Sequence, residues 1–86
     1  MEAKNLHIEI ISPAGIVFDG NCHMAVIPTT NGELGIMNNF EPTLARLSKG
    51  KIDIYNESEK ISKHFEVTEG GFAHNVEGKL LVLLDK

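Results

Sequence analysis

From Leu6 the chain alternates, with Leu6, Ile8 and Ile10 separated by His7 and Glu9. A period of two predicts a strand with one buried face. Ser12-Pro13-Ala14-Gly15 ends it, because proline removes a ladder donor and glycine tolerates positive φ, and Ile16-Val17-Phe18 reads as the second arm of a hairpin. Asp19-Gly20-Asn21 reads as a further turn or bulge, followed by an alternating strand over residues 22–27 that ends at Pro28. Thr29-Thr30-Asn31-Gly32 supplies turn residues, and Glu33-Leu34-Gly35-Ile36 resumes extended structure.

Asn38, Asn39 and Pro42 interrupt the pattern, and residues 41–47 read as a loop before alternation returns at residues 51–55. After the polar turn at residues 56–60, residues 61–67 place Ile61, Phe65 and Val67 on one face together with Lys63. An inward lysine marks an edge strand or a stem that snorkels to water. Gly70-Gly71 breaks the chain again, and Glu77-Gly78 joins residues 72–76 to residues 79–84 in a last hairpin. Eight to ten short strands without helical periodicity predict an all-β fold, a two-sheet β-sandwich or flattened barrel, with residues 1–86 as one domain.

Composition narrows the function classes. Apolar residues make up 42% of the 86 and charged residues 23%, enough for a thin core and too apolar for wholesale disorder. Twelve acidic against eight basic residues give a net charge of −4, and no basic stripe offers itself to nucleic acid. The longest strongly apolar run, residues 80–84, is too short to span a bilayer, and the N-terminus has no signal or transit pattern. Direct membrane insertion is therefore not expected. Cys22 is the single cysteine, so no internal disulfide is available and a reducing compartment is expected.

Candidate chemistry is sparse. His7, Cys22, His23, His64 and His74 lack metal-ligand spacing, so they read as strand histidines and a small core thiol, and neither metal nor cofactor is expected. Ser12 and Asp19 read as turn residues rather than parts of a nucleophile system, because no strained turn presents the serine. Glu57 and Glu59 read as solvated charges. Gly32-Glu33-Leu34-Gly35 lacks the Lys-Ser/Thr of a phosphate loop and reads as a turn that leaves Glu33 exposed near a tip.

The order of these segments resembles the N-terminal β-domain of the epsilon-subunit family of F-type ATP synthase, the equivalent of the mitochondrial delta subunit. The likeness is carried by residues 6–13 leading to Phe18-Asp19-Gly20, by Gly32-Glu33-Leu34-Gly35-Ile36, by Pro42-Thr43-Leu44-Ala45-Arg46-Leu47 with Lys49-Gly50-Lys51-Ile52, and by Gly70-Gly71-Phe72 with residues 80–85. It covers almost the whole chain. The resemblance implies a non-catalytic rotor subunit of the central stalk, linking the gamma shaft to the polar loops of the membrane c-ring and coupling proton flow to ATP synthesis. It implies c-ring contact through Gly32, Glu33, Leu34 and Gly35, and gamma contact through Ser12, Met37, Asn38, Asn39 and Phe40. It also implies a peripheral location on the cytoplasmic face of a bacterial inner membrane.

Two departures stand out. Met37-Asn38-Asn39-Phe40-Glu41-Pro42 replaces the family's Pro-Gly-His-type turn, with Phe40 where histidine is customary, and the sequence stops at Lys86 without the helical hairpin of many members. The rival reading is a stand-alone β-sandwich binding or carrier module, although neither Met-Lys-Met nor Asp-Lys, the marks of a biotinyl or lipoyl carrier's modified lysine, occurs in a turn, the one Asp-Lys being terminal.

Overall fold

The opening alternation is realised as β1 (Leu6–Ser12) in the computed structural model, which describes residues 5–58 and 60–86, and Leu6, Ile8 and Ile10 are fully buried. Ser12 builds the first turn with its own hydroxyl: Oγ accepts the Ala14 N–H at 3.2 Å and donates to the Gly15 carbonyl at 3.3 Å. β2 (Gly15–Cys22) returns antiparallel.

β2 does not break at Asp19-Gly20-Asn21, where a turn is expected from sequence; these residues pair with Glu9, Ile8 and His7. The glycine serves packing instead. The Phe18 ring lies over Gly20, so that a Cβ there would sit 3.1 Å from the ring. Asp19 is likewise a strand residue, its carboxylate 2.7 Å from His7 Nε2, while Asn21 Oδ1 lies 2.9 Å from Nδ1.

The chain bends one step later, at His23, whose N–H donates to the Tyr55 carbonyl. β3 (Met24–Thr29) then starts in the opposite layer, which switches the buried parity from Cys22 to Ala25 and Ile27. β4 (Gly32–Met37), β5 (Thr43–Leu47), β6 (Gly50–Tyr55), β7 (Ile61–Val67), β8 (Gly71–Val76) and β9 (Lys79–Leu84) follow. β5 occupies most of the stretch read as a loop, pairing along its full length with β8. The β8–β9 hairpin turns through Glu77 and Gly78, both at positive φ, as a two-residue turn requires.

Hydrogen bonding runs β2-β1-β9-β8-β5-β3-β6-β7, with β4 on the free side of β3. β1 and β9 are parallel; every other pair is antiparallel. The first leaf, β2-β1-β9-β8-β5, meets the second, β4-β3-β6-β7, at one corner, where Leu47 pairs with Thr29, the Thr30 N–H donates to the Arg46 carbonyl and the Ser48 N–H to the Pro28 carbonyl. The result is the expected β-sandwich, curled as a half-barrel around one apolar cluster that includes Ile8, Ile10, Ile27, Ile36, Ile52, Leu80 and Val82.

The opposite seam lies between the two outer strands, β2 and β7. Phe18 and Phe65 meet across it, ring centroids 5.3 Å apart, and the Lys63 ammonium lies 6.0 Å from the Phe18 centroid. Lys63 is thus the snorkelling edge lysine expected from sequence. Ile61 does not share its face: the pairing steps from Ile54↔Lys63 to Tyr55↔Ile61, and the extra residue in β7 turns Ile61 to the outside.

Candidate functional site

Strand direction sorts the connections into two ends. The ends of β1, β3, β5, β7 and β9 lie together, so residues 13–14, 30–31, 48–49 and 68–70 form one end, which we call the tip end. His23 and residues 38–42, 56–58 and 77–78 form the other, which we call the strap end after the crossing segment 38–42.

At the tip end the β3–β4 hairpin turns through Thr30 and Asn31, one residue earlier than the Asn-Gly pair suggests. Gly32 supplies the positive φ, 112°, that lets β4 begin. Thr29 Oγ1 accepts the Asn31 N–H at 3.2 Å and donates to the Gly32 carbonyl, while Ser48 Oγ donates to the Thr29 carbonyl at 3.2 Å. Glu33 follows directly, exposed and opposite Pro28, with Gly35 and Met37 on the same outward face; Leu34 and Ile36 turn inward. The hairpin and β5 enclose an open groove of about 330 Å³, lined among others by Thr30, Asn31, Glu33, Leu34 and Arg46.

Ser12 lies at this same end. Met37, Asn38, Asn39 and Phe40 lie at the other, a strand's length away, about 17–20 Å for six residues. The structure therefore gathers Gly32–Gly35 into one tip but splits the five residues implied for a second partner between the two ends.

What joins those ends is the outer face of the first leaf, which sequence reading passed over. Ile16, Ile11, Leu83, Phe72 and Arg46 follow one another in register across β2, β1, β9, β8 and β5. Ile16 is 64% exposed, Leu83 and Phe72 nearly half, and the Arg46 guanidinium stacks 5.2 Å from the Phe72 centroid. The next row carries Asp19, Glu9, Leu81, His74 and Leu44, the last 71% exposed. Scattered exposed apolar side chains are ordinary; a continuous apolar row across four strands, closed by Arg46 on the fifth, is the kind of patch that marks interaction sites. Its signal was present in Leu44, Phe72 and Leu83, apolar residues that fall on the outward parity once the register is known.

The strap crosses from β4 to β5. Its Phe40 is half-buried against the core, the Phe40 N–H donates to the Met37 carbonyl, and Asn75 beneath donates to the Phe40 and Glu41 carbonyls at 3.2 and 3.1 Å. Asn38 backs onto the Glu77-Gly78 turn. Among the other candidates, Cys22 is buried, which pushes its thiol up to about 11, and His64 and His74 are exposed while His7 and His23 are half-buried. Glu57 is exposed; Glu59 lies outside the described residues. No group of three or more His, Cys, Asp or Glu side chains gathers as a metal site among the described residues.

Comparison with known proteins agrees over nearly the full length. Residues 5–86 match the family model described as "ATP synthase, Delta/Epsilon chain, beta-sandwich domain". The chain is 34% identical over 83 residues to the ATP synthase epsilon chain of Parvibaculum lavamentivorans, covering 96% of this chain and 61% of that one. Against the epsilon chain of Campylobacter concisus it is 36% identical over 81 residues, covering 93% and 60%. It thus spans about three fifths of the length of these relatives. A chain in the Euglena gracilis mitochondrial ATP synthase superposes with a TM-score of 0.85 at 19% identity, covering all of this chain and 54% of that one. One in the central stalk and c-ring structure of the Tetrahymena thermophila enzyme gives 0.75 at 18%, covering all of this chain and 67% of that one. At these identities the superpositions speak for the fold.

Proposed function

Since the chain belongs to the delta/epsilon β-sandwich family of ATP synthase, we propose that it is a non-catalytic part of the rotor, holding the gamma shaft to the c-ring and coupling proton flow to ATP synthesis. The observation that carries this reading is the division of labour in the structure. An exposed, acidic, side-chain-poor hairpin projects at one end, and beside it lies a separate face of the first leaf, apolar along the row from Ile16 to Phe72 and again at Leu81 and Leu44, and polar toward the other end at His7 and Lys79.

The tip made by Gly32, Glu33, Leu34 and Gly35 suits the polar loops of a c-ring. Glycines at 32 and 35 keep it slim, and Glu33 offers the charge. Gamma, a single larger partner, would lie along the first leaf from Ser12 to Met37, Asn38, Asn39 and Phe40, covering the row from Ile16 to Arg46 on the way. That placement accounts for implied contact residues at opposite ends. A non-catalytic role fits side chains whose chemistry is spent locally: Ser12 in its own turn, His7 on Asp19 and Asn21. Within a bacterial enzyme this puts the chain peripherally on the cytoplasmic face of the inner membrane, with no cofactor of its own.

Binding of the purified chain to its cognate gamma subunit tests the reading first; no association at micromolar concentration sinks it. Coupled proton pumping in reassembled membranes then tests the tip. Glu33→Lys should lower pumping while gamma binding is retained, and unchanged pumping removes Glu33 from the ring contact. A stand-alone binding or carrier module, the rival reading, predicts no gamma binding at all.

A further inference from the structure

Asn75 is a polar side chain that faces the core. It sits on the inward parity of β8, in register with Leu80 of β9 and Thr43 of β5, and it is fully buried. Its amide nitrogen donates to two carbonyls of the strap, those of Phe40 and Glu41, and Thr43 Oγ1 donates to the same Glu41 carbonyl at 2.9 Å. Its oxygen, Oδ1, is buried and has no hydrogen-bond partner among the described residues. Flipping the amide would set that oxygen against two carbonyl oxygens, so the orientation is fixed by the acceptors around it.

An apolar side chain of the same size in place of Asn75 would bring no unpaired acceptor of its own, but it would take a donor away from the Phe40 and Glu41 carbonyls, and removing one partner of a hydrogen bond costs stability. What asparagine provides is a fixed place for the strap backbone. The other ties described for that segment are the turn bond from Phe40 to Met37, the Thr43 hydroxyl on the Glu41 carbonyl, the Phe40 ring against the core and the contact of Asn38 with Gly78.

We propose that Asn75 is a positioning residue for the gamma-facing strap: it holds residues 39–41 from beneath, so that Asn39 and Phe40 meet the partner already in place. The proposal rests on the gamma reading above. It works by preorganisation, since a strap fixed before docking loses less conformational freedom on binding. Asn75 itself touches no partner.

The test compares the chain with its Asn75→Leu variant in three measurements: urea midpoint, amide hydrogen exchange over residues 38–42, and affinity for cognate gamma. The expected result is a lowered midpoint, strap exchange at least about tenfold faster, and gamma bound about tenfold more weakly. A purely structural role would lower the midpoint as well but leave affinity unchanged once the variant is folded. Unchanged strap exchange and unchanged affinity overturn the proposal. Should Asn75→Leu fail to fold, Asn75→Ala is read in the same way, and an undisturbed strap with full affinity again overturns it. Wild type failing to bind gamma overturns the underlying reading, and is told apart because it needs no variant.

Discussion

The two ends of the sandwich are built on opposite plans. The tip is held by short polar side chains bonding to nearby backbone, Thr29 and Ser48 above all, and Glu33 stands clear of the core. The strap is held from below, by a buried amide and a half-buried ring. A surface made by local turn chemistry can change its exposed residues without consulting the interior, whereas one seated on core side chains cannot. The tip should therefore tolerate substitution at little cost in stability, and the strap should not.

The harshest challenge to this contrast lies just beneath the tip. A Cβ on Gly71 would fall 2.1 Å from the Leu83 carbonyl oxygen, a backbone atom that cannot step aside. Gly71→Ala should cost more than about 3 kcal/mol by urea denaturation, which would show that tolerance belongs to the hairpin and not to the whole end. Cys22 reports on the strap end without disturbing it. With its thiol pushed by burial from an ordinary 9.0 to about 11, it should react about a hundredfold more slowly than a free thiol at pH 8. The sign for stability follows: the folded state keeps this proton longer than the unfolded, so stability holds below pH 9 and declines between 9 and 11. Cys22→Ala should remove that decline.

The direct comparison pairs Phe40→Ala with Glu33→Gln. Phe40→Ala should cost about 1–3 kcal/mol through lost burial. Thr29→Val, which removes both hydroxyl bonds of the tip turn, should cost about 1 kcal/mol. Glu33→Gln should stay within about 0.5 kcal/mol. Equal costs for Phe40→Ala and Glu33→Gln would erase the distinction between the ends.

How much of this was legible depends on which way the apolar residues point. β1 and the β8–β9 hairpin were readable because Leu6, Ile8 and Ile10, or the Glu77-Gly78 turn, obey the simple rule of apolar inward and turn residues outside. β5 was missed because it inverts the rule: Leu44 and Arg46 face out, while the small residues Thr43 and Ala45 face in. Gly20 misled because its role, making room for the Phe18 ring, involves contact rather than turning. The Gly32–Gly35 tip was visible as a motif, and the structure adds its turn. That Ser12 and Phe40 lie at opposite ends was not visible, since alternation reports a residue's face and says nothing of its end. Asn75 was hidden the same way, on a strand whose large apolar residue, Phe72, points outward.

The parallel pairing of β1 with β9 has a consequence for the birth of the molecule. His7 to Ile11 lie beside Lys79 to Leu83, so the middle of the first leaf joins the two most distant parts of the chain. A ribosome that has released only the first eight strands has released a leaf with its centre missing: β1 has β2 alone for a partner, and β8 has only β5. Closure must wait for β9 to emerge, and it carries the loop entropy of some seventy residues, which places refolding of the released chain in the millisecond-to-second range typical of non-local β topologies. Nascent chains stalled before Lys79 should accordingly remain open to protease, and those extended past Lys86 by enough to clear the exit tunnel should not.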